Sequence, residues 1–123
     1  MEFSDLVARA FEVVDPRKLS DGASCGTVGA ALQTTNGEVF RGVCVDTTSS
    51  CGFCAEHAAA AAMLTAGHSV VVRMVAVNES GRILPPCGRC REFISLLAPE
   101  NLACEVLVAS DTARTLEELL PKR

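Results

Sequence analysis

The sequence predicts an α/β fold in which helices cover both faces of a mixed sheet. Three observations point there: strand-length and helix-length segments alternate after an initial hairpin, an alanine-rich segment has helical character without a polar stripe, and the run from Val70 to Val77 is nearly all apolar, as in strands covered on both sides. With 123 residues the chain suits one domain, residues 1–123. A chain of that length buries roughly 65–70% of its unfolded surface, enough for a core without disulfide staples.

Taken in order, Phe3, Leu6, Val7, Ala10, Phe11 and Val14 follow helical spacing until Pro16. Gly22 to Gly26 reads as loop. Val28–Gln33 and Val39–Val45 are strand-like, and Asn36-Gly37 between them is a strong hairpin signal. After a polar stretch from Asp46 to Gly52, Cys54-Ala55-Glu56-His57 runs into five alanines, Met63 and Leu64, a helix that Gly67 stops. Val70–Val77 is the next strand. Pro85-Pro86 opens a helix carrying Cys87, Cys90, Phe93, Ile94, Leu96 and Leu97, ended by Pro99. Val106–Ala109 is a further strand, and Thr115-Leu116-Glu117-Glu118 is a capping-box start for a short last helix. The order is α-β-β-α-β-α-β-α, with four strands read directly.

Charge and patterning exclude several function classes. The formal net charge is −4, and outside the terminal Lys122-Arg123 no basic cluster offers a footprint for nucleic acid. The strictly apolar stretch Ala58–Leu64 is far short of the ~20 residues needed to span a bilayer. Acids near the N-terminus stand where a secretory signal would carry basic residues. A soluble, cytoplasmic protein acting on a small molecule, with no nucleic-acid or membrane partner, is the expectation.

Seven cysteines stand out, because an odd number in a reducing compartment argues against a disulfide framework. Cys51, Cys54, Cys87 and Cys90 form two C-x-x-C pairs; Cys25, Cys44 and Cys104 read as buried apolar positions. Cys54 and the Cys87/Cys90 pair both fall where a helix begins. Helix N-termini favour the thiolate, the form that binds zinc. Three thiolates from two helix starts leave a fourth tetrahedral position open, the arrangement of a catalytic zinc site. Glu56, two residues past Cys54, could stand beside the metal as a proton acceptor without ligating it. Two alternatives include Cys51: a closed four-thiolate structural site, and a thioredoxin-like role for Cys51-Gly52-Phe53-Cys54. His57 reads as a packed residue, His68 as a surface loop residue, Arg91 as surface, and Met63 and Met74 as core.

Cys54-Ala55-Glu56-His57 and Pro86-Cys87-Gly88-Arg89-Cys90-Arg91 resemble the two active-site motifs of the small cytidine deaminases. Val28 to Leu32, the Asn36-Gly37 turn and Arg41-Gly42-Val43 are similar to the start of that family, and Cys-Gly-Arg-Cys-Arg resembles its blasticidin S deaminase branch. The resemblance implies a three-layer α/β/α sandwich with a five-stranded sheet; the fifth strand, beyond the four read directly, either lies between Asp111 and Leu116 or is too short to show in the pattern. It implies one zinc ion per subunit on Cys54, Cys87 and Cys90, Glu56 as proton shuttle, and Ala55 and Asp46 at the substrate. It further implies a homotetramer and release of ammonia from the 4-amino group of a free cytosine-type nucleoside. Arg89 is the candidate to offset the charge of three thiolates, a task for which relatives commonly place arginine at position 57. The sequence departs from the nucleoside-specific members: Val43-Cys44-Val45-Asp46 stands where they carry Asn-x-Glu, and no aromatic tail follows Leu120. Ring stacking then falls to Phe53, Phe40 or a neighbour's phenylalanine, and blasticidin S or another aminated heterocycle is the alternative substrate.

Overall fold

The computed structural model describes residues 2–121; Met1 and the Lys122-Arg123 pair lie outside it. Its elements are α1 (Phe3–Phe11), β1 (Arg17–Ser20), β2 (Ala23–Thr34), β3 (Val39–Thr47), α2 (Ala55–Thr65), β4 (Val71–Asn78), α3 (Gly88–Leu97), β5 (Glu105–Ala109) and β6 (Thr112–Thr115). Single 3₁₀ segments at Pro99–Ala103 and Glu117–Leu119 follow α3 and β6. No helix among the described residues is long and apolar enough to cross a membrane.

Among the described residues the sheet has six strands, one more than expected. β2 is its spine. One edge of β2 pairs antiparallel with β3; the other pairs first with β1 and then with β4, also antiparallel. β4 and β5 are parallel, joined through α3, and β6 returns antiparallel to β5 within the segment expected to hide a strand. β1 was not expected at all. Its four residues are all exposed, so it carries no apolar alternation to read.

The pleat divides the core into two layers. Ala30, Leu32, Met74, Ala76 and Val106 face α2 and α3, whereas their neighbours Ala31, Val75, Val77 and Leu107 face Leu6 and Ala10 of α1. Alternate residues of β2, β4 and β5 thus join opposite layers, each covered by helix, in the expected three-layer sandwich.

Three segments correct the sequence expectation. Gly22–Gly26 is not a loop: β2 begins at Ala23, and the glycine there marks an irregularity in the pairing between Cys25 and Gly29. Gly26 has φ 88°, and a Cβ would sit 2.0 Å from the Asp15 carbonyl oxygen, so no other residue fits. α3 starts at Gly88, with Cys87 as its N-cap, because Pro85 and Pro86 are spent in the approach to the helix. The last helix is a single 3₁₀ turn, although its capping pair forms: Thr115 N–H donates to the Glu118 carboxylate at 2.8 Å, and Glu118 N–H to Thr115 Oγ1 at 3.3 Å.

Two devices fix the helices that matter for the site. α2 lies against β3 so closely that a Cβ on Gly42 would stand 2.4 Å from the Ala59 amide nitrogen. Small residues on both sides permit that approach. α2 ends in a Schellman pattern, with His68 N–H on the Met63 carbonyl at 3.1 Å and Gly67 N–H on Leu64 at 3.0 Å. α3 is held at its far end by Asn101, which is fully buried. The Asn101 side chain donates to the carbonyls of Ile94 (2.9 Å) and Ser69 (3.0 Å) and accepts from Val71 N–H (2.8 Å).

Candidate active site

β3 and β4 both run antiparallel to β2, so they point the same way and end together, near the start of β2. The chain leaves β3 toward α2 and β4 toward α3. The two helices therefore present their N-termini at the same end of the sheet. This topology brings residues 33 positions apart into contact.

Cys54 is the N-cap of α2 and Cys87 the N-cap of α3, both with extended backbone. Their sulfurs are 3.4 Å apart, and the sulfurs of Cys54, Cys87 and Cys90 all lie within 4.8 Å of one another. Zn–S bonds of ~2.3 Å in tetrahedral array would place sulfurs about 3.8 Å apart. The cluster fits that spacing, and its soft donors are those zinc favours. Cys51 is exposed and outside the cluster.

The electrostatics fit a cation as well. Burial pushes the Cys54 thiol up to about 11, with the contact to Cys87 adding to it. Cys90 is pushed higher still, by burial first and then by the Glu56 carboxylate. Burial would also raise Cys87, but hydrogen bonds from the Cys90 N–H and from the Cys54 and Cys90 side chains outweigh it, and this thiol lies below its ordinary value. The Cys90 amide donates to Cys87 Sγ at 3.4 Å, as expected of helix N–H groups beside a thiolate. Cys54 and Cys90 are each raised by burial and by the negative groups beside them, a strain that a divalent ion held among the three sulfurs would relieve.

Glu56 is the second residue of α2 and only 5% exposed. Burial holds its carboxyl above the usual carboxylate range, and its own backbone N–H offsets part of that. Together with Cys54 and Cys87 it lines one end of a cavity of about 500 Å³. Ala55, Asp46, Phe53 and Arg89 line the same cavity. Asp46, Arg89 and Phe53 are exposed, Phe53 at 39%.

Other candidates are placed differently from the sequence expectation. Phe40 does not line the cavity: it pairs with Leu32 near the far end of β3 and packs on His68, with ring centroids 5.8 Å apart. His68 is not a bare surface residue, since its Nε2 lies 3.5 Å from Glu38 Oε1. His57 is packed, stacked on Phe93 at 4.0 Å. Burial, and then the charge of Arg89, push its imidazole below the ordinary value. Arg91 is not a free surface residue. Its Nε donates to the Pro86 carbonyl at 2.8 Å and its Nη1 to the Leu119 carbonyl at 3.0 Å.

Of the residues lining the cavity, Thr27 carries no signal in the sequence, and Cys44, which stands in the stretch that replaces Asn-x-Glu but reads as a buried apolar position, proves to be cavity wall. Thr27 Oγ1 and Cys44 Sγ are hydrogen-bonded at 3.2 Å, and Cys44 Sγ lies 3.9 Å from Asp46 Oδ2. Cys44 is buried, as expected of a small apolar residue, but it is also cavity wall. Alternation along β3 places Cys44 and Asp46 on one face, a weak signal that could have grouped them. Between them and Cys54 the loop 46–52 is closed by a two-bond bridge: Val45 N–H to the Phe53 carbonyl (3.0 Å) and Phe53 N–H to Val45 (2.9 Å).

The comparisons agree with this geometry. No protein-family profile matches the chain. A cytidine deaminase of Halalkalibacterium halodurans is 34% identical over 97 residues, covering 76% of this chain and 74% of the relative. A blasticidin-S deaminase of Bacillus cereus is 34% identical over 106 residues, with the same coverage of each. The solved structure of cytidine deaminase from Mycobacterium tuberculosis superposes with a TM-score of 0.82 at 26% identity, covering 99% of this chain and 96% of that one. The chain is thus an enzyme of the hydrolytic deaminase class. It belongs to the cytidine deaminase family.

Proposed function

We propose that this enzyme removes the 4-amino group of a free cytosine-type nucleoside, cytidine or deoxycytidine, with Cys54, Cys87 and Cys90 holding one zinc ion and Glu56 moving the protons. The observation that carries it is the convergence of three sulfurs within 4.8 Å, with the buried Glu56 carboxylate beside them in one cavity. Zinc held there supplies Lewis acidity and lowers the pKa of water toward neutrality. Glu56 takes a proton from the attacking water and delivers it to the ring nitrogen beside the amine-bearing carbon. It then takes the proton of the newly formed hydroxyl and passes it to the amino group, which leaves as ammonia as the carbonyl forms. Burial raises its pKa above the usual carboxylate range, the direction that favours handing the proton on. Ala55, at the cavity wall, lies against the base, and Asp46 accepts from a hydroxyl of the attached group. Arg89, at the rim, offsets negative charge at the cavity mouth.

The cavity wall favours a second substrate reading. Where nucleoside-specific members carry an amide, Cys44 presents a thiol engaged with Thr27. A relative of equal identity is a blasticidin-S deaminase. Purified enzyme offered cytidine, deoxycytidine, blasticidin S and aminopurines, with ammonia release followed, decides between them. Turnover of none by zinc-replete protein would overturn both, leaving a non-catalytic zinc module. Glu56→Ala should keep stoichiometric zinc while losing at least ~10²–10⁴-fold in turnover. A variant near parental rate would remove Glu56 from the chemistry.

The assembly proposed is a homotetramer. Beyond Glu56 and His57, α2 carries no charged residue, and Ala61, Ala62 and Leu64 are exposed, so the helix is apolar on its outward side too. Light scattering at micromolar concentration tests this; a monomer refutes it. The setting proposed is the cytoplasm, where seven unpaired thiols persist.

A further inference from the structure

Two prolines precede Cys87, and neither has an N–H to offer its surroundings. Pro86 is buried, so its carbonyl needs a donor from elsewhere. Arg91 supplies it. From the first turn of α3 the Arg91 side chain reaches back past the N-cap: Nε donates to the Pro86 carbonyl at 2.8 Å, while Nη1 donates to the Leu119 carbonyl at 3.0 Å. Leu119 belongs to the turn after β6, whose neighbour Leu116 is fully buried in the core beneath α2 and α3. One guanidinium therefore ties the peptide before Cys87 to a fixed part of the core.

The Pro86 carbonyl and the Cys87 Cα belong to one planar peptide unit. Holding that oxygen fixes the plane, and with it the direction in which the Cys87 side chain leaves the backbone. Both bonds are charge-assisted, and both come from adjacent nitrogens of a rigid fork. We infer that Arg91 is a positioning residue for the second cysteine pair, aiming the Cys87 sulfur at the cluster by bridging the Pro86 and Leu119 carbonyls. This rests on the proposal that Cys54, Cys87 and Cys90 hold zinc. A lysine at 91 can reach one carbonyl but cannot span two as a planar fork does. Groups that orient a metal ligand without touching the metal are commonly worth 10–100-fold in affinity.

The test compares purified parent, Arg91→Lys, Arg91→Ala and Leu119→Ala proteins. Zinc affinity is measured by chelator competition, the thiolate-to-metal and ligand-field bands are read after cobalt(II) substitution, and urea unfolding is followed on the metal-free proteins. Leu119→Ala trims packing while leaving its carbonyl in place. The expected order is parent and Leu119→Ala nearly equal, Arg91→Lys about 10-fold weaker, and Arg91→Ala about 100-fold weaker, with cobalt bands displaced in the Arg91 variants. Should Arg91→Ala fail to fold, Arg91→Lys carries the comparison. Parental affinity and unshifted bands in Arg91→Lys and Arg91→Ala would overturn the inference, as would an equal loss in Leu119→Ala. A parent that binds no zinc would overturn the metal assignment as well, which separates the two failures.

Discussion

The two helices that deliver the cysteines are anchored by opposite means. α2 is held by close approach: alanines pack on β3 where Gly42 leaves no side chain, and no polar tie is needed along its length. α3 is held by its ends, Arg91 at the start and Asn101 at the finish, both through backbone carbonyls. Packing anchors a helix over a broad area and tolerates little added volume. Hydrogen bonds anchor it at points and tolerate no missing partner. The cluster is thus assembled from one half set by volume and another set by polar contacts.

Three substitutions sharpen that contrast. Asn101→Ala strands a buried amide and two buried carbonyls at once, and should cost about 3–4 kcal/mol in urea unfolding. A cost below ~1 kcal/mol would show that α3 does not depend on its polar anchor. Gly42→Ala forces α2 outward from β3 and should cost about 2–3 kcal/mol, with weakened zinc retention measured by metal analysis after dialysis. A neutral result would mean that α2 has slack the packing does not suggest. Gly67→Ala strains a residue at φ 94° after α2 without touching either anchor. It should cost only about 1 kcal/mol by the same measurement. A loss as large as that of Gly42→Ala would make the helix terminus, rather than its packed face, the controlling element.

What could be read from the sequence follows from where the physics is local. The alanine segment, the Asn36-Gly37 turn and the Val70–Val77 run announce themselves through composition and period, and each formed close to its expected place, although the first hairpin strand starts five residues early, at Ala23. Arg17–Ser20 and Thr112–Thr115 are short edge strands held by backbone pairing, with side chains largely in solvent, so no apolar pattern betrays them. Gly26 was misread because a glycine that serves an irregular strand looks like one that serves a loop. At the site, the convergence of Cys54, Cys87 and Cys90 was legible because each stands where its own motif marks the start of a helix. Thr27 meets Cys44 only through the register of β2 on β3, and Arg91 meets Leu119 only through the packing of the last turn. Neither partner lies within reach of a local motif.

The paired hydrogen bonds between Val45 and Phe53 carry one more consequence. They close residues 46–52 into a loop whose first two residues, Asp46 and Thr47, still belong to β3 and pair with Ser24 and Ala23. Asp46, Ser49 and Ser50 shape the mouth of the cavity from within that loop, yet Cys54 begins only after the clasp. The exposed stretch 48–51 is therefore where the cavity mouth can change with least disturbance to Cys54, whereas Gly52 cannot change, since a Cβ there would stand 2.4 Å from the Val45 carbonyl oxygen.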